Sequence, residues 1–155
     1  MRIIEVGKEA PDFVLKDQHG ENVNLNEYRS KRVILSFHPL AWTGVCARQM
    51  QALEENRAVF SERNAEAFGV SVDSVPCKEA WAKELRIRGT KLLSDFWPHG
   101  EVAESYGIFR AKDGFSERAV IILDEQGVVR FAKVYPMREV PNMEEVLSSL
   151  EVIGS

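Results

Sequence analysis

The sequence predicts an α/β fold in which helices flank a central mixed sheet and an N-terminal β-hairpin precedes it. Apolar runs at residues 33–37 and 65–72 are each followed by a segment rich in helix formers. This order of strand, helix, strand and helix predicts a parallel βαβ unit with a right-handed crossover. Two further apolar runs, at 118–123 and 128–134, flank the turn 124–127 and predict an antiparallel hairpin. Parallel and antiparallel pairs together make the sheet mixed.

The remaining elements follow in chain order. Residues 9–30 contain two short strands around a glycine-containing turn, which predicts the N-terminal hairpin. Residues 92–100 are predicted to form a loop. Glu54 and Glu55 are expected on the solvated face of the first helix. The predicted helices are Cys46 to about Arg63, Pro76 to Leu85, Glu101 to Tyr106 and Asn142 to Leu150.

Length and composition are typical of one globular domain. The chain has 155 residues, of which 45% are hydrophobic and 28% charged, and this predicts a single domain over residues 1–155. A net charge of −4 without any basic run argues against nucleic-acid or anionic-membrane binding. The N-terminal residues lack the apolar core of a signal peptide, and no apolar run is long enough to span a bilayer. We therefore expect a cytoplasmic protein.

The clearest chemical signal is Cys46, where a strand-to-helix loop ends and a helix is predicted to begin. Free N–H groups and the macrodipole at a helix start favour a thiolate, which is the nucleophilic form of cysteine. Thr43 brings a hydroxyl within reach of the sulfur or of an oxygen that it attacks, and Pro39 shapes the loop and lacks an N–H. The alternative is a buried structural cysteine. The coincidence of position, hydroxyl and proline favours a reactive site.

The pattern Pro-x-x-x-Thr-x-x-Cys at residues 39–46 resembles the active-site signature of the peroxiredoxins, the thiol peroxidases of the thioredoxin superfamily. The resemblance implies a thioredoxin-like fold in which Pro39 shields the site, Thr43 orients the peroxide and Cys46 attacks it. It also implies that Arg118, at the start of the late hairpin, reaches the cysteine. A guanidinium near sulfur favours the thiolate and can bind peroxide oxygens. The alternative for Arg118 is an exposed charge paired with a neighbouring carboxylate.

Residues 92–100 are similar to the corresponding loop of the alkyl hydroperoxide reductase E branch, whose members often use one essential cysteine. The resemblance also implies a homodimer. His38 departs from the family, in which an aromatic residue usually precedes the proline, and we expect it to pack or hydrogen-bond beside the loop. Cys77 lies at the start of the next predicted helix. It is either a resolving cysteine, as in some peroxiredoxins, or a small residue in a helix cap.

These residues predict an antioxidant, thiol-dependent peroxidase that reduces hydrogen peroxide and organic hydroperoxides. Cys46 becomes a sulfenic acid and releases water or an alcohol. Cys77, a thioredoxin-like protein or a low-molecular-weight thiol then regenerates it, and no metal or organic cofactor is needed. The alternative is a peroxide-sensing redox switch without significant turnover. A protein disulfide oxidoreductase is disfavoured because the chain has no Cys-x-x-Cys motif.

Overall fold

A computed structural model describes residues 2–153 of the chain. Within these residues no helix has the length and apolar character needed to cross a membrane. The strands are β1 (Val14–Lys16), β2 (Asn22–Asn24), β3 (Arg32–Phe37), β4 (Ala65–Ser71), β5 (Lys91–Ser94), β6 (Phe109–Arg110), β7 (Phe115–Ser116), β8 (Arg118–Leu123) and β9 (Val129–Tyr135). The helices are α1 (Gly44–Glu55), α2 (Arg57–Glu62), α3 (Val75–Leu85), α4 (Glu101–Ser105) and α5 (Met143–Ile153).

A seven-stranded mixed sheet forms the centre of the molecule, with the strand order β2-β1-β5-β4-β3-β8-β9. Strand β4 pairs in parallel with both β3 and β5, whereas β8 runs antiparallel to β3 and β9. Strands β1 and β2 form the N-terminal hairpin. The predicted parallel unit and both predicted hairpins are confirmed, and with them the α/β fold class.

The predicted helix from Cys46 to Arg63 is wrong in its bounds, because the chain forms two helices there. The first begins at Gly44, and the break lies at Asn56, whose ψ of 10° departs from helical geometry. The Asn56 side chain donates a hydrogen bond to the Ala52 carbonyl at 2.8 Å. Asparagine side chains that bond nearby backbone groups compete with the helical pattern, which accounts for the interruption.

The loop predicted at residues 92–100 is also wrong in its first part, since β5 pairs in parallel with β4 from Lys91 to Ser94. Leu92 and Leu93 are fully buried. An apolar run of two residues is too short to show a period, so its strand character depends on the neighbouring strand. The small hairpin of β6 and β7 lies outside the main sheet and was not predicted.

The sheet separates two apolar cores, because successive side chains of a strand point to opposite faces. In β3, Val33, Leu35 and Phe37 belong to the core that also contains Tyr106. Ile34 belongs to the other core, whose further members include Cys46, Met50, Leu53, Phe60 and Trp81. The helix that carries Cys46 therefore packs against the same sheet face as α3.

Glu54 on α1 holds the segment that leads into β5. Its carboxylate accepts hydrogen bonds from the backbone N–H groups of Arg88, Gly89 and Thr90 and from the Thr90 hydroxyl, at 2.8 to 3.3 Å. The prediction that Glu54 lies on a solvated face is therefore wrong, whereas the prediction is confirmed for Glu55, which is exposed.

Replacing Glu54 by alanine should lower the free energy of unfolding by about 1–3 kcal/mol, because backbone N–H groups lose their protein acceptor. Chemical denaturation measures this loss. Glu55→Ala is the matched control one residue away, and we expect it to change the free energy of unfolding by less than about 0.5 kcal/mol. Equal effects of the two substitutions would show that water replaces the carboxylate without loss.

Candidate active site

Cys46 is the third residue of α1 and is almost completely buried, with 1% of its surface exposed. The helix begins two residues earlier than predicted, so the sulfur still lies in the first turn. Thr43 is the N-cap residue, and its side chain makes no capping hydrogen bond. The first backbone N–H groups of a helix have no acceptor within the helix, and they provide the positive end of its dipole.

Arg118 is the first residue of β8 and is 3% exposed. Its Nη1 lies 3.3 Å from the Cys46 sulfur and donates to Oε1 of Gln49 at 2.7 Å. Its Nε and Nη2 donate to the Met137 carbonyl at 3.2 and 2.9 Å. The predicted contact between Arg118 and Cys46 is therefore confirmed, and the alternative of an exposed strand-end charge is wrong. These hydrogen bonds hold the guanidinium in a fixed orientation beside the sulfur.

Gln49 was not predicted as part of the site. Its Nε2 donates to the Ser36 hydroxyl at 2.8 Å and to the Phe37 carbonyl at 3.0 Å, while its Oε1 accepts from Arg118. It therefore fixes the arginine to β3. A signal was present in the sequence, because residues three apart share a helix face and Gln49 is a polar residue on the buried face that carries Cys46.

A pocket of about 420 Å³ opens over the sulfur. Pro39 is buried in its wall, and Thr43 is exposed at it. The Thr43 hydroxyl donates to the Leu40 carbonyl at 2.9 Å, so toward a molecule in the pocket its oxygen is an acceptor. The structure therefore brings Pro39, Thr43, Cys46 and Arg118 to one cavity, as predicted. Its other lining residues are Leu40, Gly44, Val45, Arg110, Asp113, Phe115 and Met137.

Cys77 is the third residue of α3 and is half-buried. As expected, α1 and α3 begin at the same edge of the sheet, because both follow strands of a parallel pair. The Ser74 hydroxyl caps α3 by accepting from the Cys77 N–H. The thiol lies 3.8 Å from Oδ1 of Asp73, and burial together with this carboxylate raises the pKa of Cys77. The neutral thiol is therefore its favoured form.

Asp73 also reaches the active-site loop. Its Oδ2 accepts from the Ala41 N–H at 2.8 Å and from the Ser71 hydroxyl at 2.6 Å. One carboxylate thus joins the end of β4, the loop before Cys46 and the thiol of Cys77. This link between the two cysteine-bearing segments was not predicted, because it depends on contacts between segments distant in sequence.

His38, just before Pro39, is fully buried, and its ring packs against Trp81 at a centroid distance of 5.4 Å. Its Nε2 lies 3.2 Å from Nζ of Lys78, which is also fully buried. Burial and the adjacent Lys78 charge hold the pKa of His38 well below its usual value. Burial also lowers the pKa of Lys78 to about 7. The prediction that His38 packs and hydrogen-bonds beside the loop is confirmed, whereas Lys78 was missed because lysine is rarely buried.

Comparisons with known proteins agree with this geometry. The profile of the AhpC/TSA family matches residues 6–132. Alkyl hydroperoxide reductase E of Mycobacterium tuberculosis is 38% identical over 139 residues, which cover 89% of this chain and 90% of that protein. A chloroplastic 2-cysteine peroxiredoxin of Chattonella marina var. antiqua is 34% identical over 160 residues, covering 97% of this chain and 80% of the relative.

Solved structures show the same similarity. The reduced 2-Cys peroxiredoxin of Plasmodium vivax superposes with a TM-score of 0.87 at 32% identity, covering 96% of this chain and 81% of that one. Peroxidoxin BcpB of M. tuberculosis superposes with a TM-score of 0.86 at 27% identity, covering 98% of this chain and 99% of that one. These neighbours confirm the predicted thioredoxin-like fold. Because the family profile spans most of the sequence and relatives this similar cover nearly its whole length, the chain belongs to the AhpC/TSA family, the peroxiredoxins.

Proposed function

We propose that this protein is a thiol-dependent peroxidase that reduces hydrogen peroxide and organic hydroperoxides through Cys46. The observation that carries the proposal is the 3.3 Å contact between Arg118 Nη1 and the Cys46 sulfur inside a pocket. A sulfur beside a fixed cation in the first turn of a helix is well placed to react as a thiolate. Relatives named alkyl hydroperoxide reductase and peroxiredoxin support the same chemistry.

In the first step the Cys46 thiolate attacks one oxygen of the peroxide. A sulfur–oxygen bond forms and the oxygen–oxygen bond breaks, so the sulfur is oxidised to a sulfenic acid. The second oxygen leaves with the electron pair and takes up a proton to give water or an alcohol. Arg118 and the N–H groups at the start of α1 stabilise the negative charge that develops on the breaking bond. Thr43 accepts the hydrogen bond of the peroxide O–H and orients it, and Pro39 shields the sulfur.

In the second step a thiol condenses with the sulfenic acid, forms a disulfide and releases water. Cys77 is one candidate, since it lies at the same sheet edge, although its favoured neutral form slows attack. An external thioredoxin-like protein or low-molecular-weight thiol is the other. We also propose a homodimer, supported by the large exposed fractions of Trp42 (54%) and Phe96 (51%). The cytoplasmic location stays a prediction.

Adding stoichiometric hydrogen peroxide to the reduced protein tests the proposal. We expect Cys46 to be oxidised much faster than free cysteine, as followed by intact mass in quenched samples. Loss of two hydrogens identifies a Cys46–Cys77 disulfide, whereas addition of one oxygen shows that the chain supplies no resolving thiol. Oxidation no faster than that of free cysteine would contradict the proposed function.

Turnover separates an enzyme from a redox switch. With a thioredoxin system or dithiothreitol as electron donor, a peroxidase consumes many equivalents of peroxide per protein chain. Consumption that stops after one equivalent would instead support a switch.

A further inference from the structure

The loop before Cys46 contains a residue in an unfavourable backbone conformation that the chemistry described above does not explain. Trp42 has a φ angle of 67°, in the left-handed region, and lies between Ala41 and Thr43. A bulky residue disfavours this region, because its Cβ comes too close to the following carbonyl oxygen. Such a conformation persists only where surrounding contacts hold the backbone in place.

Asp73 supplies a contact that holds this loop from outside. Its Oδ2 accepts a hydrogen bond from the Ala41 N–H at 2.8 Å, immediately before the strained residue. Immediately after it, the Thr43 carbonyl accepts from the Ala47 N–H at 2.9 Å, in the first turn of α1. The backbone of Trp42 is therefore fixed at both ends, by Asp73 on one side and by the start of the helix on the other.

Asp73 is itself well anchored. It follows the end of β4, which pairs with β3 on one side and with β5 on the other. Its Oδ2 also accepts from the Ser71 hydroxyl at 2.6 Å, and the Ser71 carbonyl accepts from the Asp95 N–H at 2.8 Å. A site supported by rigid elements is held more precisely than one supported by loops. The carboxylate thus fixes the loop to the centre of the sheet.

We propose that Asp73 is a positioning residue for the peroxidase reaction, because its bond to Ala41 keeps the strained loop in the conformation that places Thr43 at the pocket over Cys46. The inference rests on the proposed function and names a further determinant of the same site. Asp73 does not line the pocket, so it acts through the loop and not on the peroxide. Without this bond Trp42 relaxes towards a common backbone conformation, and the hydroxyl that orients the peroxide is displaced.

The test compares Asp73→Ala with Ser71→Ala, a matched control that removes the other hydrogen bond of the same oxygen. Both are made in a Cys77→Ser background, because the Cys77 thiol also contacts Asp73 and because Cys46 is then the only thiol. Stopped-flow reaction with hydrogen peroxide gives the second-order rate constant. Iodoacetamide alkylation reports the reactivity of the sulfur without any need for an oriented peroxide. Circular dichroism confirms that each variant is folded.

We expect Asp73→Ala to react with hydrogen peroxide about tenfold more slowly than the parent, because a small misplacement of an orienting group lowers the rate strongly. Its alkylation should stay within about twofold of the parent, since the sulfur and its helix are unchanged. Ser71→Ala should match the parent in both reactions. Equal peroxide rate constants for Asp73→Ala and the parent would overturn the inference. An equal loss in alkylation would also overturn it, because that result indicates a general defect.

Two further substitutions test the hydrogen bond itself. Asp73→Asn keeps an oxygen that accepts from the Ala41 N–H, so its rate constant should lie closer to that of the parent than to that of Asp73→Ala. Absence of this rescue would contradict the inference. Asp73→Glu moves the carboxylate by one methylene group and should slow the reaction. If Asp73→Ala does not fold, a parent-like rate constant in Asp73→Glu would overturn the inference.

The strain at Trp42 provides a test of the mechanism. Trp42→Asn introduces a residue that adopts the left-handed conformation readily, whereas Trp42→Phe keeps the strain. Asp73→Ala should therefore slow the peroxide reaction less in the Trp42→Asn background than in the Trp42→Phe background. Equal slowing in the two backgrounds would show that Asp73 does not act by holding the strained residue.

Hydrogen exchange separates this inference from the proposed function. In Asp73→Ala the Ala41 amide loses its acceptor and should exchange faster than in the parent, whether or not the protein reacts with peroxide. A parent that reacts slowly with peroxide would contradict the proposed function, and exchange would still decide whether Asp73 holds the loop. A parent that reacts rapidly, with exchange and rate constant both unchanged in Asp73→Ala, would contradict only the role of Asp73.

Discussion

Replacing Cys46 by serine should abolish peroxide consumption, with a loss of at least about a thousandfold in the presence of dithiothreitol. A serine hydroxyl is not ionised near neutral pH and cannot form a sulfenic acid, so the first step has no nucleophile. The rate of peroxide loss in a coupled or colorimetric assay measures the effect. Dithiothreitol makes the result independent of the natural reductant.

Cys77→Ser is the comparison for this first step. The oxidation of Cys46 needs no second thiol, so this variant should still give a dimedone adduct of the sulfenic acid at Cys46 after one equivalent of peroxide. Cys46→Ser should give none. Peroxide turnover by Cys46→Ser, or an adduct only at Cys77, would place the reactive sulfur elsewhere.

Replacing Arg118 by methionine should lower the second-order rate constant with hydrogen peroxide by about a hundredfold, the usual cost of removing one donor that stabilises transition-state charge. The substitution removes both the charge beside the Cys46 sulfur and the bond to Gln49. Arg118→Lys keeps the charge but not the planar fork, so its rate constant should lie between those of Arg118→Met and the parent. Stopped-flow measurement in excess peroxide gives these constants.

Arg130 supplies a control on the neighbouring strand β9. Its guanidinium is exposed and pairs with Asp124 at 3.7 Å, and Arg130 does not line the active-site pocket. Arg130→Met should retain the parent rate constant to within about twofold, since exposed ion pairs contribute little. If Arg118→Met, shown to be folded, reacted as fast as Arg130→Met, the arginine would have no part in the chemistry.

The central part of the site was predictable because its signals are local in sequence. A buried strand, a loop with Pro39 and Thr43, and a helix that begins near Cys46 all lie within fourteen residues of one another. Arg118 lies 72 residues from Cys46 and was placed only by the resemblance to a family. Its contact follows from the pairing of β8 with β3, which no local pattern specifies.

The unpredicted features depend on contacts between distant segments. Lys78 and His38 meet because α3 packs beneath the end of β3, and their sequence separation is 40 residues. Glu54 bonds a segment 34 to 36 residues away. Propensity describes Lys78 and Glu54 as polar and exposed, and only the assembled fold shows that each has a specific buried or part-buried partner.

The buried lysine also has a thermodynamic consequence for the whole fold. An unfolded chain keeps the Lys78 proton up to a pH of about 10, whereas the native protein releases it near pH 7. Between these two pH values the unfolded state therefore binds more protons than the native state, and the free energy of unfolding rises with pH. At neutral and acidic pH the native state bears the full penalty of an ammonium withdrawn from water. This penalty lowers the free energy of unfolding below the value that the apolar core alone would give. It arises at Lys78, beside the loop that leads to Cys46.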